Sequence, residues 1–233
     1  MSNPTSTEQR AFKVVLVGDG GTGKTSFIVR QQSGEFLSDY VATLGVEKYP
    51  LKFNTTHGTY TINLWDTSGQ EKLGPMRDSY YEEADAAILF FDVTSRITYK
   101  NIPGWHQDIV RVRQNIPVVL CANKTDVKER KVKSKSILYP SKHDIGFYEI
   151  SVKEDWQTLD PIQYLLQQLT NKPDLKINVS SSDKIDEETI LKEVATISEG
   201  PLDKEEQLDI SQDYCPVADL LNAGNFEVHD MFI

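Results

Sequence analysis

The sequence predicts an α/β fold: a mostly parallel six-stranded sheet with helices on both faces, followed by an acidic C-terminal extension. Three observations carry this. Short apolar runs alternate with helix-length amphipathic stretches, the pattern of strands joined by crossover helices. A glycine-rich loop separates the first apolar run from the first helical pattern. Charge is unevenly distributed. The 233 residues carry 25 Lys/Arg and 35 Asp/Glu, a formal net charge of -10. Residues 1–170 hold 20 of each sign, whereas residues 171–233 hold 5 basic and 15 acidic, so the whole imbalance lies in the extension. A hydrophobic content of 39% and a charged content of 26% suit one globular domain with an appendage. No apolar stretch approaches the ~18 residues of a membrane span.

The elements follow in order. FKVVLV at 12–17 is a short β-rich run, and a helical pattern at 24–33 follows the glycine-rich loop. Strands are expected at 46–53 and 59–66, joined as a hairpin through turn residues Asn54 to Gly58. A helix at 76–84 leads to the apolar strand AAILFFD at 86–92, and a helix over 97–115 leads to a strand at 116–122. A final strand at 147–150 and a helix at 157–170 complete the domain, giving boundaries of 1–11, 12–172 and 173–233. Beyond Pro173, VSSSDKIDEE has linker composition, and Ile190, Val194 and Ile197 recur at helical spacing until Gly200-Pro201. The first residues contain no apolar core and only one arginine, so no signal or transit segment is expected. Cys121 and Cys215 are too few and too differently placed for a disulfide framework. The last residues, HDMFI, offer no prenylation cysteine, so no lipid anchor is expected.

The chemistry starts with Gly18-Asp19-Gly20-Gly21-Thr22-Gly23-Lys24-Thr25, which matches the GxxxxGK[ST] phosphate loop in its strand-to-helix context. The glycines let the backbone curl until its amides face phosphate oxygens, and the start of the helix adds partial positive charge. Asp19, Gly20, Gly21, Thr22, Gly23 and Ser26 therefore join the candidate nucleotide site. Lys24 is suited to bridge the β- and γ-phosphates, and the Thr25 hydroxyl to ligate Mg²⁺. Three further motifs rule out an accidental match, and two of them point to guanine. In Asp66-Thr67-Ser68-Gly69-Gln70, Asp66 can hold Mg²⁺ through water, the Gly69 amide can sense a γ-phosphate, and Gln70 can orient an attacking water. In Asn123-Lys124-Thr125-Asp126, the Asp126 carboxylate can accept the N1 and N2 donors of guanine; adenine lacks that pair and would leave the charge unpaired. Ser151-Val152-Lys153 offers a backbone amide toward guanine O6. Gln70 and Lys24 are the candidate catalytic residues.

These four motifs, in this order, resemble the small GTPases of the Ras superfamily, and within them the Ran family. Ran-like stretches outside the generic motifs are YVATLGVE at 40–47, FDVTSRITYKNIPGWH at 91–106, IPVVLCANK at 116–124 and KERKVKSKSI at 128–137. The resemblance implies a P-loop small-GTPase domain that binds GTP or GDP with Mg²⁺ and hydrolyses GTP slowly without an activating protein. It implies that Thr43 completes the Mg²⁺ shell with Thr25 when a γ-phosphate is present, that Phe36 packs edgewise over the guanine, and that Tyr40 lies near Gln70 in the GTP state. It also implies the partners: importin/exportin-type transport receptors, a guanine nucleotide exchange factor, a GTPase-activating protein and Ran-binding-domain proteins. A monomer shuttling between nucleus and cytoplasm, with no nucleic-acid partner, is expected.

Several residues depart from the Ran pattern. Ser68 replaces alanine, Leu73 phenylalanine, Pro75 and Ser79 glycines, and Val152 alanine. The basic cluster is reduced to Pro140-Ser141-Lys142-His143, and the acids of the extension are scattered. EEQLDISQ at 205–212 weakly resembles the C-terminal helix that in Ran-like proteins packs on the GDP form. The basic run Lys128, Arg130, Lys131, Lys133 and Lys135 is either a solvated face or a patch for acidic segments. The histidines show no ligand spacing, which argues against zinc, and Trp65 and Trp105 are expected to serve as core or interface aromatics. The competing functions are a vesicle-traffic GTPase and a GTP-locked scaffold that does not hydrolyse.

Overall fold

The structure, a computed structural model, describes residues 11–36, 42–43, 45–67 and 76–178. The helical pattern at 190–197, the segment 205–212, and the positions Tyr40, Ser68, Gly69, Gln70, Leu73 and Pro75 lie outside them.

Among the described residues the elements are β1 (Phe12–Val17), α1 (Lys24–Ser33), β2 (Val46–Thr55), β3 (Gly58–Thr67), α2 (Met76–Tyr81), β4 (Ala86–Asp92), α3 (Arg96–Lys100), α4 (Ile102–Val112), β5 (Val118–Asn123), α5 (Tyr139–His143), β6 (Gly146–Glu149) and α6 (Asp160–Thr170). The sheet runs β2-β3-β1-β4-β5-β6, with β2 antiparallel to β3 and every other neighbour parallel. This is the predicted six-stranded, mostly parallel architecture.

The two-residue period of β1 divides the core. Val14 and Leu16 pack on one face with Phe27 and Ile28 of α1 and Ile162, Leu165 and Leu166 of α6. Val15 and Val17 pack on the other with Tyr81, Ile102, Trp105 and Ile109 from α2 and α4. A central strand buried on both sides must be apolar throughout, and β4 likewise is buried at all seven positions.

Four expectations need correction. The helix expected over 157–170 begins at Asp160, one residue before Pro161. The single helix over 97–115 is two, α3 and α4, and ends at Val112. Pro103 has no N–H to give the Tyr99 carbonyl, which breaks the ladder next to Asn101. The helix at 76–84 stops at Tyr81, and Glu83 takes a left-handed φ of 57° that no helix continues through. The strand expected from 116 begins at Val118, just after Pro117. Between β5 and β6 lie a single 3₁₀ turn, Ser134–Ser136, and the short helix α5, neither of which the sequence patterning signalled.

The packed chain also runs past residue 172. Leu175 is fully buried in the α6 face of the core. Ile177 bridges Thr55 antiparallel, Lys176 accepts the Thr56 amide at 3.0 Å, and the Asn178 amide reaches the Asn54 carbonyl at 2.8 Å.

Candidate functional site

Strand order reverses direction around β1, whose neighbours are β3 and β4, and ligands of open α/β sheets sit at the carboxyl ends of strands at such a point. The glycine-rich loop leaves β1 there. Gly18 has φ 140°, and a Cβ on it would lie 2.3 Å from the Phe90 carbonyl oxygen of β4. Gly23, φ 97°, caps α1 in the left-handed region, and its Cβ would lie 2.3 Å from Asn123 Nδ2. Both positions need glycine because neighbouring strands hold the loop closely on each side.

Lys24 is 5% exposed and folds back over the loop, its Nζ donating to the Gly18 carbonyl at 2.7 Å and the Asp19 carbonyl at 2.9 Å. Burial pulls its pKa down to about 8, against the opposing pull of Asp66 and Asp19. A buried ammonium held by two carbonyls is a cation suited to bind anionic oxygens. Thr22 closes the loop through Oγ1 to the Asp19 carbonyl at 2.8 Å. Asp19 turns its side chain the other way. Asn101 Nδ2 donates to one carboxylate oxygen at 2.8 Å and Trp105 Nε1 to the other at 2.6 Å. Gly20, Gly21 and Ser26 lie along the same loop and first helical turn.

Thr25, Thr43 and Asp66 meet, as a cation site would require. Thr25 Oγ1 is 3.0 Å from Thr43 Oγ1, and both hydroxyls reach Asp66 Oδ2, at 2.5 Å and 3.2 Å. The other oxygen, Asp66 Oδ1, is buried without a hydrogen-bond partner among the described residues. Burial raises the Asp66 pKa, with the two threonine hydrogen bonds and Lys24 opposing the shift. An orphaned carboxylate oxygen beside two hydroxyls is a donor set of hard oxygens and fits Mg²⁺.

The base side of the site centres on Asn123 at the end of β5. Its Nδ2 donates to the Thr22 carbonyl at 2.9 Å, and its Oδ1 accepts the Lys124 amide at 2.7 Å and the Val152 amide at 3.2 Å. One side chain thus ties the phosphate loop to both base-side segments. Lys124 has a left-handed φ of 68°, a conformation that a non-glycine residue adopts at a cost. Its Nζ pairs with Asp92 at 2.8 Å. Asp126 accepts Ser151 Oγ at 2.7 Å, and Ser151 Oγ also receives the Glu154 amide at 3.1 Å. Val152 is buried in the core with Phe27 and Ile150, so its bulk is absorbed there. Lys153 is exposed at the rim.

Phe36 is exposed, with the Arg30 guanidinium 5.8 Å from its ring centre. Arg30 is a site residue that motif reading missed. From the last turn of α1 it donates to the Val152 carbonyl at 3.0 Å, the Lys153 carbonyl at 2.8 Å and the Gly34 carbonyl at 2.5 Å. It braces the 151–153 loop against α1. Asp92 and the pair Asn101 and Trp105 were also missed, because each acts across more than 30 residues of sequence.

Two expectations about surface groups are refined. Tyr139 stacks on His143 with ring centres 4.0 Å apart, and His106 Nδ1 lies 3.0 Å from the Tyr139 hydroxyl, so two histidines that look scattered in sequence share one cluster. Among the described residues no group of three or more His, Cys, Asp or Glu side chains could hold a metal together. The basic run is partly committed: Arg130 pairs with Glu149 and donates to the Thr125 carbonyl.

A family model for the Ras family matches residues 13–171, a span that takes in the phosphate loop, the Thr25–Thr43–Asp66 cluster and both base-side loops. The chain therefore belongs to the Ras family of small GTPases, with the guanine-nucleotide switch domain that this family shares.

Proposed function

We propose that this chain is a Ran-type switch: its GTP form engages importin/exportin-type receptors to load or release cargo, and it shuttles between nucleus and cytoplasm. The observation that supports the finer assignment is the set of Ran-like stretches at 40–47, 91–106, 116–124 and 128–137, which lie largely outside the motifs every small GTPase needs. Two of them supply walls of the site, through Asp92, Asn101 and Trp105 in one and Asn123 and Lys124 in the other.

The residues divide the work. Lys24, released from the Gly18 and Asp19 carbonyls, turns to the β- and γ-phosphates. Asp126 accepts the guanine N1 and N2 donors, and Ser151 holds its other side in place. Thr25 and Thr43, with Asp66 through water, would hold Mg²⁺, which neutralises charge on the phosphates when bound. Thr43 and the Gly69 amide tether their loops only to a nucleotide that carries a γ-phosphate, so hydrolysis frees both loops and a partner reading them distinguishes the two states. Gln70 orients the attacking water, and Lys24 with the loop amides stabilises charge on the transferred phosphoryl group. Turnover is slow until a GTPase-activating protein contributes, and an exchange factor reloads the site. Ran-binding-domain proteins are further partners of the GTP form.

The test is to load the protein with GDP or a non-hydrolysable GTP analogue and identify what each form retains from a lysate. Importin-type receptors on the GTP form alone support the assignment. Recovery of membrane-tethering factors instead would assign the chain to vesicle traffic.

A further inference from the structure

We propose that Asn101 and Trp105 are positioning residues of the nucleotide site, clamping the Asp19 carboxylate away from the triphosphate. This rests on the phosphate loop being the nucleotide site.

A carboxylate in a loop built to receive a polyanion is electrostatically misplaced. Asp19 is the only acid between Lys13 and Glu35, and its backbone carbonyl already holds Lys24 Nζ and Thr22 Oγ1. The backbone therefore faces the phosphate-binding lysine while the side chain sits one residue's breadth away. The junction of α3 and α4 resolves the conflict. Asn101 Nδ2 takes Oδ2 at 2.8 Å and Trp105 Nε1 takes Oδ1 at 2.6 Å, so each carboxylate oxygen has its own N–H donor. The indole N–H can only donate, and the ring is 4% exposed and packed with Ile102 and Ile109, so the donor cannot swing aside. Pro103 breaks the helix beside Asn101, which lets this side chain and that of Trp105, four residues on and one turn along, converge on one carboxylate.

The clamp fixes where one negative charge stands. Without it the Asp19 side chain regains its rotamers, including those nearer the incoming phosphates. GTP carries a further negative charge that GDP lacks, so a released carboxylate penalises GTP more than GDP. Asn101 and Trp105 thereby help set the preference between the two nucleotides without touching either.

The experiment measures, in the full chain with Mg²⁺, the affinities for GDP and for a non-hydrolysable GTP analogue, and reads their ratio. Trp105→Phe and Asn101→Ala should each lower the ratio for the GTP analogue by about five-fold. Adding Asp19→Asn to either should bring the ratio back to within about two-fold of the wild type, because the charge is gone. Asn101→Ala leaves the core untouched and keeps the test valid if Trp105→Phe fails to fold. An unchanged ratio in Asn101→Ala overturns the clamp. So does a lowered ratio that Asp19→Asn fails to restore, since lost packing would behave that way. A wild-type chain that binds neither nucleotide overturns the nucleotide site itself, which separates the two failures.

Discussion

Asn123 Nδ2 donates to the Thr22 carbonyl at 2.9 Å, joining the end of β5 to the phosphate loop across 101 residues of sequence. The same side chain accepts the Lys124 and Val152 amides, so three separate segments share one buried carboxamide.

Asn123→Ala should therefore cost more than an ordinary polar truncation. It deletes three hydrogen bonds and leaves the buried Val152 amide unsatisfied. At about 1 kcal/mol per bond plus about 1–3 kcal/mol for the orphaned group, a loss of about 4–6 kcal/mol is expected in denaturant titration. Nucleotide affinity should fall with it. Asn123→Asp keeps the acceptor oxygen but sets a buried charge against the Thr22 carbonyl, so it should not recover the loss.

Lys24 makes nucleotide binding pH-dependent. Its pKa of about 8 lies below the ordinary 10.5 because burial disfavours the ammonium. In the folded chain the proton is lost first, so between those two values the unfolded chain binds more protons and the nucleotide-free protein gains stability as pH rises. Phosphate oxygens reverse the balance by favouring the charged form. Binding of GDP at pH 8 should take up about half a proton, seen as buffer-dependent heat in calorimetry. Affinity should decline as pH rises above 8, and Lys24→Met should abolish the uptake.

Much of this was legible in the sequence. The six strands follow from short apolar runs, and the phosphate loop, DTSGQ, NKTD and SVK announce themselves by spacing. What escaped is what depends on three dimensions. Arg30 reads as an ordinary basic residue at a helix end, yet it holds the 151–153 loop from 122 positions away. Trp105 reads as a core aromatic and is one, yet its single polar atom reaches Asp19. The break between α3 and α4 was visible only as a proline that helices tolerate near their starts. Whether Pro103 begins one helix or interrupts another depends on what precedes it, and amphipathic periodicity runs through both cases.

The orphaned oxygen of Asp66 predicts cation dependence. Wild-type protein loaded with GDP should lose about 2 kcal/mol of stability when Mg²⁺ is chelated, read as a lowered Tm. Asp66→Ala should show little response to chelation. In the chelated state Asp66→Asn should be as stable as wild type or more so, because the buried charge is removed.

Two glycines should respond in opposite directions to alanine. At Gly18 a methyl group would press on the Phe90 carbonyl at 2.3 Å, a backbone atom within the sheet that cannot turn aside. Gly18→Ala is expected to cost about 3 kcal/mol. Gly104 lies exposed in α4, and nothing stands within 4 Å of its Cβ position. Gly104→Ala should stabilise the domain by about 0.5–1 kcal/mol in thermal unfolding, through lost backbone freedom in the unfolded chain.

The segment 175–178 gives the sheet a selvedge. β2 is an edge strand ten residues long, and Lys176 to Asn178 pair with the backbone of Asn54 to Thr56 on its outer side while Leu175 anchors them beneath α6. The segment covers only the hairpin end of that edge, and an unpaired strand end is a template for pairing with another chain. Shortening the protein to residue 172 would leave every candidate nucleotide motif in place and still expose this seam. The first symptom would then be self-association, with nucleotide binding lost only as the aggregates grow.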